Sequence, residues 1–300
     1  MADDKSFYKH FEAVFGARWG DLFEALIKPE KQVARLNRLS SALAYSGTDA
    51  SRVHPDLRDA FWTTSDAPIS PERTAEELLN FYIMDPASII VARALQVQEG
   101  DRVLDMCAAP GGKTLILIEG MKNAGEIFAN DLSAERRERL KKVIQQYVPR
   151  DIRHRVWVTG KDAVQFGLRE PASFDRVLLD APCSGERHVL ENKKAKEEWS
   201  PSRGDHLAVR QYSLLSAALL AVKPGGRIVY STCSINPQEN DGVVHKLLKK
   251  RRDQVRILPQ ETHSLGEKTE YGVSFLPDRC GFGPLYYSVI EKIESSNEKT

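Results

Sequence analysis

The strongest constraint on the fold is an alternation of two hydrophobic patterns that begins near residue 86. Short apolar runs of strand length alternate with segments whose apolar residues recur at helical spacing. Such alternation is typical of βαβ units, so we predict an α/β fold with a mainly parallel sheet. The predicted strands are 102–106, 126–130, 155–158, 176–179 and 227–230, with 282–290 as an antiparallel edge strand, and the predicted helices are 87–95, 113 onward, 133–147 and 207–222.

A different pattern precedes this region. Residues 6–80 lack strand-like runs, and Val33, Leu36, Leu39 and Leu43 recur at the spacing of a helix. Prolines and glycines divide the predicted helices into short pieces. We therefore divide the chain into a helical N-terminal extension, a main domain and a polar tail, over 1–85, 86–292 and 293–300 respectively.

The composition is that of an ordinary globular protein, with 28% charged residues, 41% hydrophobic residues and a net charge of +1. No apolar run approaches the roughly 18 residues that span a bilayer, and the N-terminus lacks a signal-peptide pattern. We therefore expect no membrane association and a cytoplasmic location, with the mitochondrial matrix as the alternative. The four cysteines include no CxxC pair, so we expect neither a metal site nor a disulfide framework.

Two of the cysteines follow predicted strands. Cys183 comes after the strand at 176–179, and Cys233 comes after the strand at 227–230. Ligands of open α/β sheets bind at the carboxyl ends of the strands, so we expect both thiols at one site. Two thiols at such a site suggest covalent chemistry in which each sulfur has its own role.

A glycine-rich turn follows the first predicted strand and opens a helix. Lys113 and Thr114 resemble the end of a phosphate-binding loop, but Cys107 stands where that motif requires glycine. The dinucleotide-binding motif is absent as well. What remains is a backbone with little side-chain cover, which a ligand can approach closely. The small residues of this turn are Ala108, Ala109, Gly111 and Gly112.

Acidic residues after the next strands indicate a nucleoside ligand. Asp131 lies 19 residues after Gly112, near the ~20-residue offset at which an acid binds ribose hydroxyls in such folds. Asp162 follows the third strand and could accept a hydrogen bond from an adenine amino group or cap a helix. A nucleoside site without a diphosphate-binding motif points to S-adenosylmethionine as the cofactor.

Three motifs together resemble the Nop/Sun family of RNA cytosine-5 methyltransferases. They are 105–114, 180–185 and 231–234, and the resemblance covers about residues 80–290. The segments most similar to the branch that contains the mitochondrial ribosomal-RNA enzyme are 81–88, 180–188 and 282–286. The chain has Met84 where many members carry glutamine, directly before the aspartate that corresponds to Asp85.

The resemblance implies a Rossmann-like class I methyltransferase fold and transfer of a methyl group from S-adenosylmethionine to C5 of a cytidine in RNA. The branch implies ribosomal RNA as the substrate, with tRNA as the alternative. The family assigns Cys233 as the nucleophile that bonds C6, and Cys183 as the residue that assists product release. The implied cofactor contacts are Cys107, Ala108, Ala109, Pro110, Gly111, Gly112, Lys113, Asp131, Arg136, Asp162 and Asp180.

The chemistry requires such groups because C5 of cytosine becomes nucleophilic only after a thiolate adds to C6. Asp180 could contact the ring, either as a protonated acid at N3 or as a carboxylate at the amino group. Cys183, or a water that it positions, could remove the C5 proton. Lys113 could orient Asp180 or the cofactor, or pair with a nearby acid as an ordinary lysine at a helix N-terminus.

Three other interpretations remain open. In DNA cytosine-5 methyltransferases a Pro-Cys cysteine attacks the base, which would make Cys183 the nucleophile. A non-catalytic RNA-binding or ribosome-assembly protein could keep the fold, and a small-molecule methyltransferase would not need RNA. Basic runs at 136–155 and 246–252 favour RNA, and Arg187 and His188 could contact the target strand or stabilise their loop. The N-terminal extension or a protein partner could help to select the target RNA.

Overall fold

The computed structural model describes residues 2–41, 53–63, 70–122, 124–260 and 265–294. The helices are α1 (Ala2–Phe15), α2 (Trp19–Ile27), α3 (Pro86–Ala94), α4 (Gly112–Met121), α5 (Ala134–Tyr147), α6 (Phe166–Arg169), α7 (Glu186–Glu191), α8 (Lys193–Glu197), α9 (Pro201–Ala221), α10 (Asp241–Arg251) and α11 (Pro277–Cys280). The strands are β1 (Val33–Leu36), β2 (Ala60–Trp62), β3 (Phe81–Met84), β4 (Arg102–Asp105), β5 (Glu126–Asn130), β6 (Val156–Thr159), β7 (Phe174–Asp180), β8 (Val222–Thr232), β9 (Val255–Ile257), β10 (Glu267–Lys268), β11 (Val273–Phe275) and β12 (Leu285–Lys292). Among the helices in these ranges, none is long and apolar enough to cross a membrane.

The main sheet has the strand order β10-β11-β12-β8-β7-β4-β5-β6. Five neighbouring strands pair in parallel, in the order β8, β7, β4, β5 and β6. The strands β12, β11 and β10 pair antiparallel. The predicted mainly parallel sheet with an antiparallel edge is therefore confirmed. The strand expected at 282–290 is β12, but β11 and β10 pair beyond it, so β12 is not the outermost strand. The predicted helix at 207–222 is α9, which begins earlier, at Pro201.

Helices cover both faces of this sheet because its central strands are apolar on both sides. Neighbouring residues of β4 point to opposite faces, with Val103 in one core and Leu104 in the other. Leu178 and Leu179 of β7 divide in the same way. The helices α3, α4 and α5 pack over the first core, and α6, α9 and α10 pack over the second.

The N-terminal part begins with helices, as predicted. The prediction of a helix through Val33 and Leu36 is wrong. The residues Val33–Leu36 form strand β1, which pairs with β2 and β3 in a separate three-stranded sheet. All four residues of β1 are buried. A short run that is buried on both faces shows no alternation of apolar and polar residues, so its sequence does not distinguish a strand from a helix. The expected helical position Leu43 lies outside the described residues, as do 295–300 of the predicted tail.

The small sheet packs against the main domain through a buried ion pair. Arg35 on β1 is fully buried, and its Nη1 donates to both carboxylate oxygens of Glu119 on α4, at 2.8 and 2.9 Å. The amide of Asn37 donates to the carbonyl oxygens of Leu79 and Tyr147 at 2.9 Å each. The small sheet is therefore fixed to the helices that follow β4 and β5.

We expect Glu119→Ala to destabilise the protein strongly. The change leaves the Arg35 guanidinium buried without its counter-charge, and removing one partner of a buried ion pair costs about 3–5 kcal/mol. Urea unfolding would measure the loss. Glu138→Ala is the matched control, because its pair with Lys141 is exposed and exposed pairs contribute little. Equal effects of the two substitutions would contradict the structural role of the Arg35–Glu119 pair.

Candidate active site

The parallel pairing of β7 with β8 brings the two motif cysteines together. Asp180, the last residue of β7, is in register with Ser231 near the end of β8. Both chains then turn at the same edge of the sheet, and Cys183 Sγ lies 2.7 Å from Cys233 Sγ. Cys233 is exposed, whereas Cys183 is half-buried. The structure thus places both predicted thiols in one site.

The two thiols are not equivalent. The hydrogen bond with Cys233 raises the pKa of Cys183 well above its usual value, and burial raises it further. Cys183 therefore keeps its proton at neutral pH, and its Sγ lies within hydrogen-bond distance of Cys233 Sγ.

Asp180 stands next to the thiols between two donors. Its Oδ2 accepts a hydrogen bond from Lys113 Nζ at 2.8 Å, and its Oδ1 accepts one from Ser231 Oγ at 2.6 Å. Burial lowers the pKa of the Lys113 ammonium, but Asp180 outweighs burial and the pKa is raised overall. A carboxylate beside an ammonium group is the state that these contacts favour.

Three cavities meet at this edge of the sheet, and Cys107 lines all of them. The first, of about 180 Å³, lies between β3 and the loop after β4, and the second, of about 290 Å³, lies beside Asp131. The third, of about 410 Å³, holds Cys183 and Cys233. Burial raises the pKa of the Cys107 thiol well above its usual value. The loop residues that line the first cavity are Cys107, Ala108, Ala109, Pro110, Gly111, Gly112 and Lys113.

Asp131 and Arg136 hold this loop from the side of the second cavity. The Asp131 carboxylate accepts a hydrogen bond from the N–H of Ala109 at 3.3 Å and lies 3.3 Å from the Arg136 guanidinium. Arg136 also donates to the Ala109 carbonyl oxygen. Asp162 lines the same cavity, and its carboxylate accepts from the N–H of Val164 at 3.2 Å. Asp162 is thus a helix cap that also faces the cavity.

Strand β3 of the small sheet closes the first cavity. Tyr82 and Met84 line it, and a Cβ on Gly112 would lie only 2.8 Å from Tyr82 Cε1. Glycine at 112 therefore allows the close approach of the Tyr82 ring. Met84, the position that departs from many family members, forms part of this wall. The neighbouring Asp85 accepts from the N–H of Gly283 at 2.8 Å, which ties β3 to the chain before β12.

Sequence reasoning missed Asp105, which lines the first cavity. Its side chain is buried, Oδ2 accepts from Thr114 Oγ1 at 2.8 Å, and Oδ1 has no hydrogen-bond partner in the described part of the chain. Burial raises the pKa of the Asp105 carboxyl to about 7. An unpaired buried acceptor on a cavity wall is suited to a donor or cation of a ligand. An acid that ends the first strand was the signal that could have found it.

Sequence reasoning also missed two glutamates beneath the thiols. Glu186 and Glu239 are fully buried, and both contact Ser184 and Ser234, the residues that follow the two cysteines. The repeated Cys-Ser pair in the two motifs was the available signal of a shared environment. Across the described residues, no group of three or more His, Cys, Asp or Glu side chains could hold a metal ion.

Arg187 and His188 occupy different positions. The Arg187 guanidinium donates to the carbonyl oxygens of Leu26 at 2.9 Å and Lys28 at 2.7 Å, which fixes the end of α2 to the site. His188 is exposed at the cavity that holds the thiols. Arg187 therefore stabilises its loop, and His188 is the member of the pair placed to reach a ligand.

Comparisons with known proteins agree with this geometry. A family described as 16S rRNA methyltransferase RsmB/F matches residues 92–291. The 5-cytosine rRNA methyltransferase NSUN4 of Bos taurus is 38% identical, over 78% of this chain and 65% of the relative. A Danio rerio protein named tRNA (cytosine(34)-C(5))-methyltransferase, mitochondrial, is 33% identical, over 96% of this chain and 87% of the relative. The crystal structure of a methyltransferase homolog protein from Pyrococcus horikoshii superposes with a TM-score of 0.76 and 27% identity, over 93% of this chain and 92% of that one.

The family match extends from the end of α3 into β12, so it includes the loop after β4 and both thiols. The chain spans just under two thirds of the length of the bovine relative. The archaeal structure confirms the predicted Rossmann-like methyltransferase fold, and the resemblance inferred from the three motifs is confirmed by the family match. This chain belongs to the 16S rRNA methyltransferase RsmB/F family.

Proposed function

We propose that this protein is an S-adenosylmethionine-dependent RNA methyltransferase that makes 5-methylcytosine in ribosomal RNA. The observation that carries the proposal is the pair of thiols 2.7 Å apart at the ends of two neighbouring parallel strands. The Lys113–Asp180 ion pair lines the same cavity. The names of the bovine and zebrafish relatives support cytosine-5 methylation of RNA.

The residues of the first two cavities fit S-adenosylmethionine. The unpaired Oδ1 of Asp105 suits the ammonium group of the methionine part. Asp131 follows β5 and suits the ribose hydroxyls, and Asp162 suits the adenine amino group. Cys107 stands where a phosphate-binding loop needs glycine, which agrees with a cofactor that has no phosphate. When bound, the cofactor supplies an electrophilic methyl group.

In the proposed mechanism Cys233 is the nucleophile, because its sulfur is the more exposed of the pair. Its thiolate adds to C6 of the cytosine, and C5 thereby gains the electron density that it needs to accept a methyl group. Asp180, a carboxylate between two donors, is placed to accept a hydrogen bond from the cytosine amino group. The ammonium of Lys113 offsets the negative charge that builds on the ring.

Cys183 acts after methylation. The C5 proton must leave, the electrons of that C–H bond restore the C5=C6 double bond, and the C6–S bond breaks to release the Cys233 thiolate. In the free protein Cys233 is the first cause of the raised pKa of Cys183. Once Cys233 is bonded to C6 its sulfur carries no charge, so Cys183 releases its own proton to solvent more readily. The resulting Cys183 thiolate then takes the C5 proton, directly or through a water.

Only part of the basic surface supports RNA binding. In the run 136–155, Arg137 and Arg153 donate hydrogen bonds to nearby carbonyl oxygens, so their side chains stabilise the fold. In the run 246–252, residues 249–252 are exposed at the end of α10. This second run is therefore the stronger support for a phosphate backbone as ligand.

The tRNA alternative has its own support, because the zebrafish relative named for tRNA is matched over most of both chains. The same relative is named as mitochondrial, so the comparisons favour the mitochondrial matrix over the cytoplasm that the sequence suggested. The proposal also includes a protein partner that helps this chain to select its target cytidine.

We expect Cys233→Ala to form no covalent adduct with RNA and Cys183→Ala to accumulate one. Without Cys233 no thiolate reaches C6, whereas without Cys183 the elimination step fails after methylation. Labelled RNA that stays with the protein on a denaturing gel measures the adduct. Cys280→Ala is the matched control, because Cys280 lines none of the three cavities. The reverse pattern would make Cys183 the nucleophile.

We expect the affinity for S-adenosylmethionine to fall as the pH drops below about 7. Burial raises the pKa of Asp105 to about 7 in the free protein, so below that pH the carboxyl is neutral and attracts an ammonium group less. Calorimetric titrations on both sides of this pH would measure the change. Asp105→Asn should bind weakly without the pH step, whereas Asp253→Asn, an exposed control, should keep it. A pH step that survives in Asp105→Asn would reject this role.

Bisulfite sequencing of total RNA distinguishes the substrates. In cells that lack the protein, we expect a cytidine of small-subunit ribosomal RNA to lose its methyl group, and the wild-type chain should restore it. The Cys233→Ala chain is the control and should not restore it. Loss at a tRNA cytidine alone would establish the tRNA alternative. Loss at no RNA, despite cofactor binding by the purified protein, would favour a non-catalytic RNA-binding protein.

A further inference from the structure

The two loops that carry the thiols are tied together by reciprocal hydrogen bonds. Glu186 follows Cys183 in the chain, and its carboxylate accepts from the N–H of Ile235, beyond Cys233, at 2.9 Å. Glu239 follows Cys233, and its carboxylate accepts from the N–H of Ser184, next to Cys183, at 3.0 Å. Each loop thus supplies a carboxylate that receives a backbone N–H of the other loop.

The serines that follow the cysteines complete this arrangement. Ser184 Oγ and Ser234 Oγ lie 3.0 Å apart. Ser234 Oγ lies 3.2 Å from Glu186 and 3.1 Å from Glu239, and Ser184 Oγ contacts the same two carboxyl groups. All four side chains are buried, and Gln211 on α9 donates to Glu239 at 2.8 Å. We call Glu186, Glu239, Ser184 and Ser234 the cross-loop brace.

The brace contains two acids and no counter-charge. In the described residues neither Glu186 nor Glu239 forms an ion pair with a lysine or arginine. Two ionised carboxyl groups buried together repel each other, whereas one proton removes the repulsion and adds a hydrogen-bond donor. Burial and then the nearby Glu239 raise the pKa of Glu186 to about 7. A carboxylic acid and a carboxylate then satisfy both serines and both backbone N–H groups.

We propose that Glu186 and Glu239 are positioning residues that set the distance between the thiols of Cys183 and Cys233. Neither carboxyl lines the thiol cavity, so both act through the serines and the backbone next to the cysteines. The inference rests on the proposed function, in which the two sulfurs act on the same cytosine. A misplacement of about 1 Å can cost roughly 100-fold in rate, so the bonds that fix this distance matter to catalysis.

A reagent that bridges two thiols measures their spacing in the full-length protein without any substrate. Dibromobimane fluoresces strongly after it alkylates two neighbouring thiols, and peptide mass mapping identifies the bridged pair. We expect the wild type to bridge Cys183 with Cys233, and Glu186→Ala and Glu239→Ala to lose this bridge. Glu186→Gln should keep it, because an amide can still accept from Ile235 and donate to Ser184.

Kinetics separate positioning from a general structural effect. For each alanine variant we expect kcat to fall by roughly 100-fold while KM for RNA stays unchanged. The affinity for S-adenosylmethionine should also be kept, because neither glutamate lines the first two cavities. Glu191→Ala is the matched control, since Glu191 lies on the same helix α7 and is exposed. This control should keep both the bridge and kcat.

The outcomes distinguish a failure of the cross-loop brace proposal from a failure of the proposed methylation activity. Alanine variants that still bridge the thiols and keep kcat would overturn the proposal, and so would a loss of cofactor affinity equal to the loss of kcat. A Glu186→Gln variant as impaired as Glu186→Ala would overturn the hydrogen-bond argument. If the variants lose the bridge but the wild type methylates no RNA, the brace stands and the proposed function fails.

Discussion

The pairing of β7 with β8 is the constraint on which the site depends. The two strands are parallel neighbours, and the register that sets Asp180 opposite Ser231 makes both chains leave the sheet at one level. The register is fixed because alternate residues of each strand fill different cores, so a slip of one residue would turn every side chain to the wrong face. Hydrophobic packing below the thiols therefore brings both cysteine loops to the same edge of the sheet. The cross-loop brace adds the final adjustment above the sheet.

The five parallel strands of the main sheet could be predicted from sequence because each contains an apolar run next to a helical segment. The strands β9, β10 and β11 have only two or three residues each and were not predicted. The shared site of Cys183 and Cys233 followed from the same pattern, since ligands gather at strand ends. The strand Val33–Leu36 could not be recognised, because four buried residues fit the spacing of a helix equally well. The contacts of Glu186 with Ile235 join residues 49 apart in sequence, and no local pattern records such a pair.

The candidate cofactor site is built from parts of the chain that sequence reasoning assigned to separate units. The loop after β4 supplies one wall of the first cavity, and Tyr82 and Met84 of the small sheet supply another. The family match begins only at residue 92, beyond both of them. The ion pair of Arg35 with Glu119 holds this second wall in place. The small sheet thus belongs to the cavity as well as to the N-terminal region.

A protein that holds an electrophilic methyl donor beside several thiols must avoid methylating itself. Cys107 lines the cavities proposed for the cofactor, but burial keeps its thiol neutral and therefore a poor nucleophile. Cys183 is protected by the proton that Cys233 helps it to retain. Cys233 is the exposed member of these three, and it lines the third cavity together with Asp180. Protection against self-alkylation thus comes from burial at Cys107 and from the bound proton at Cys183.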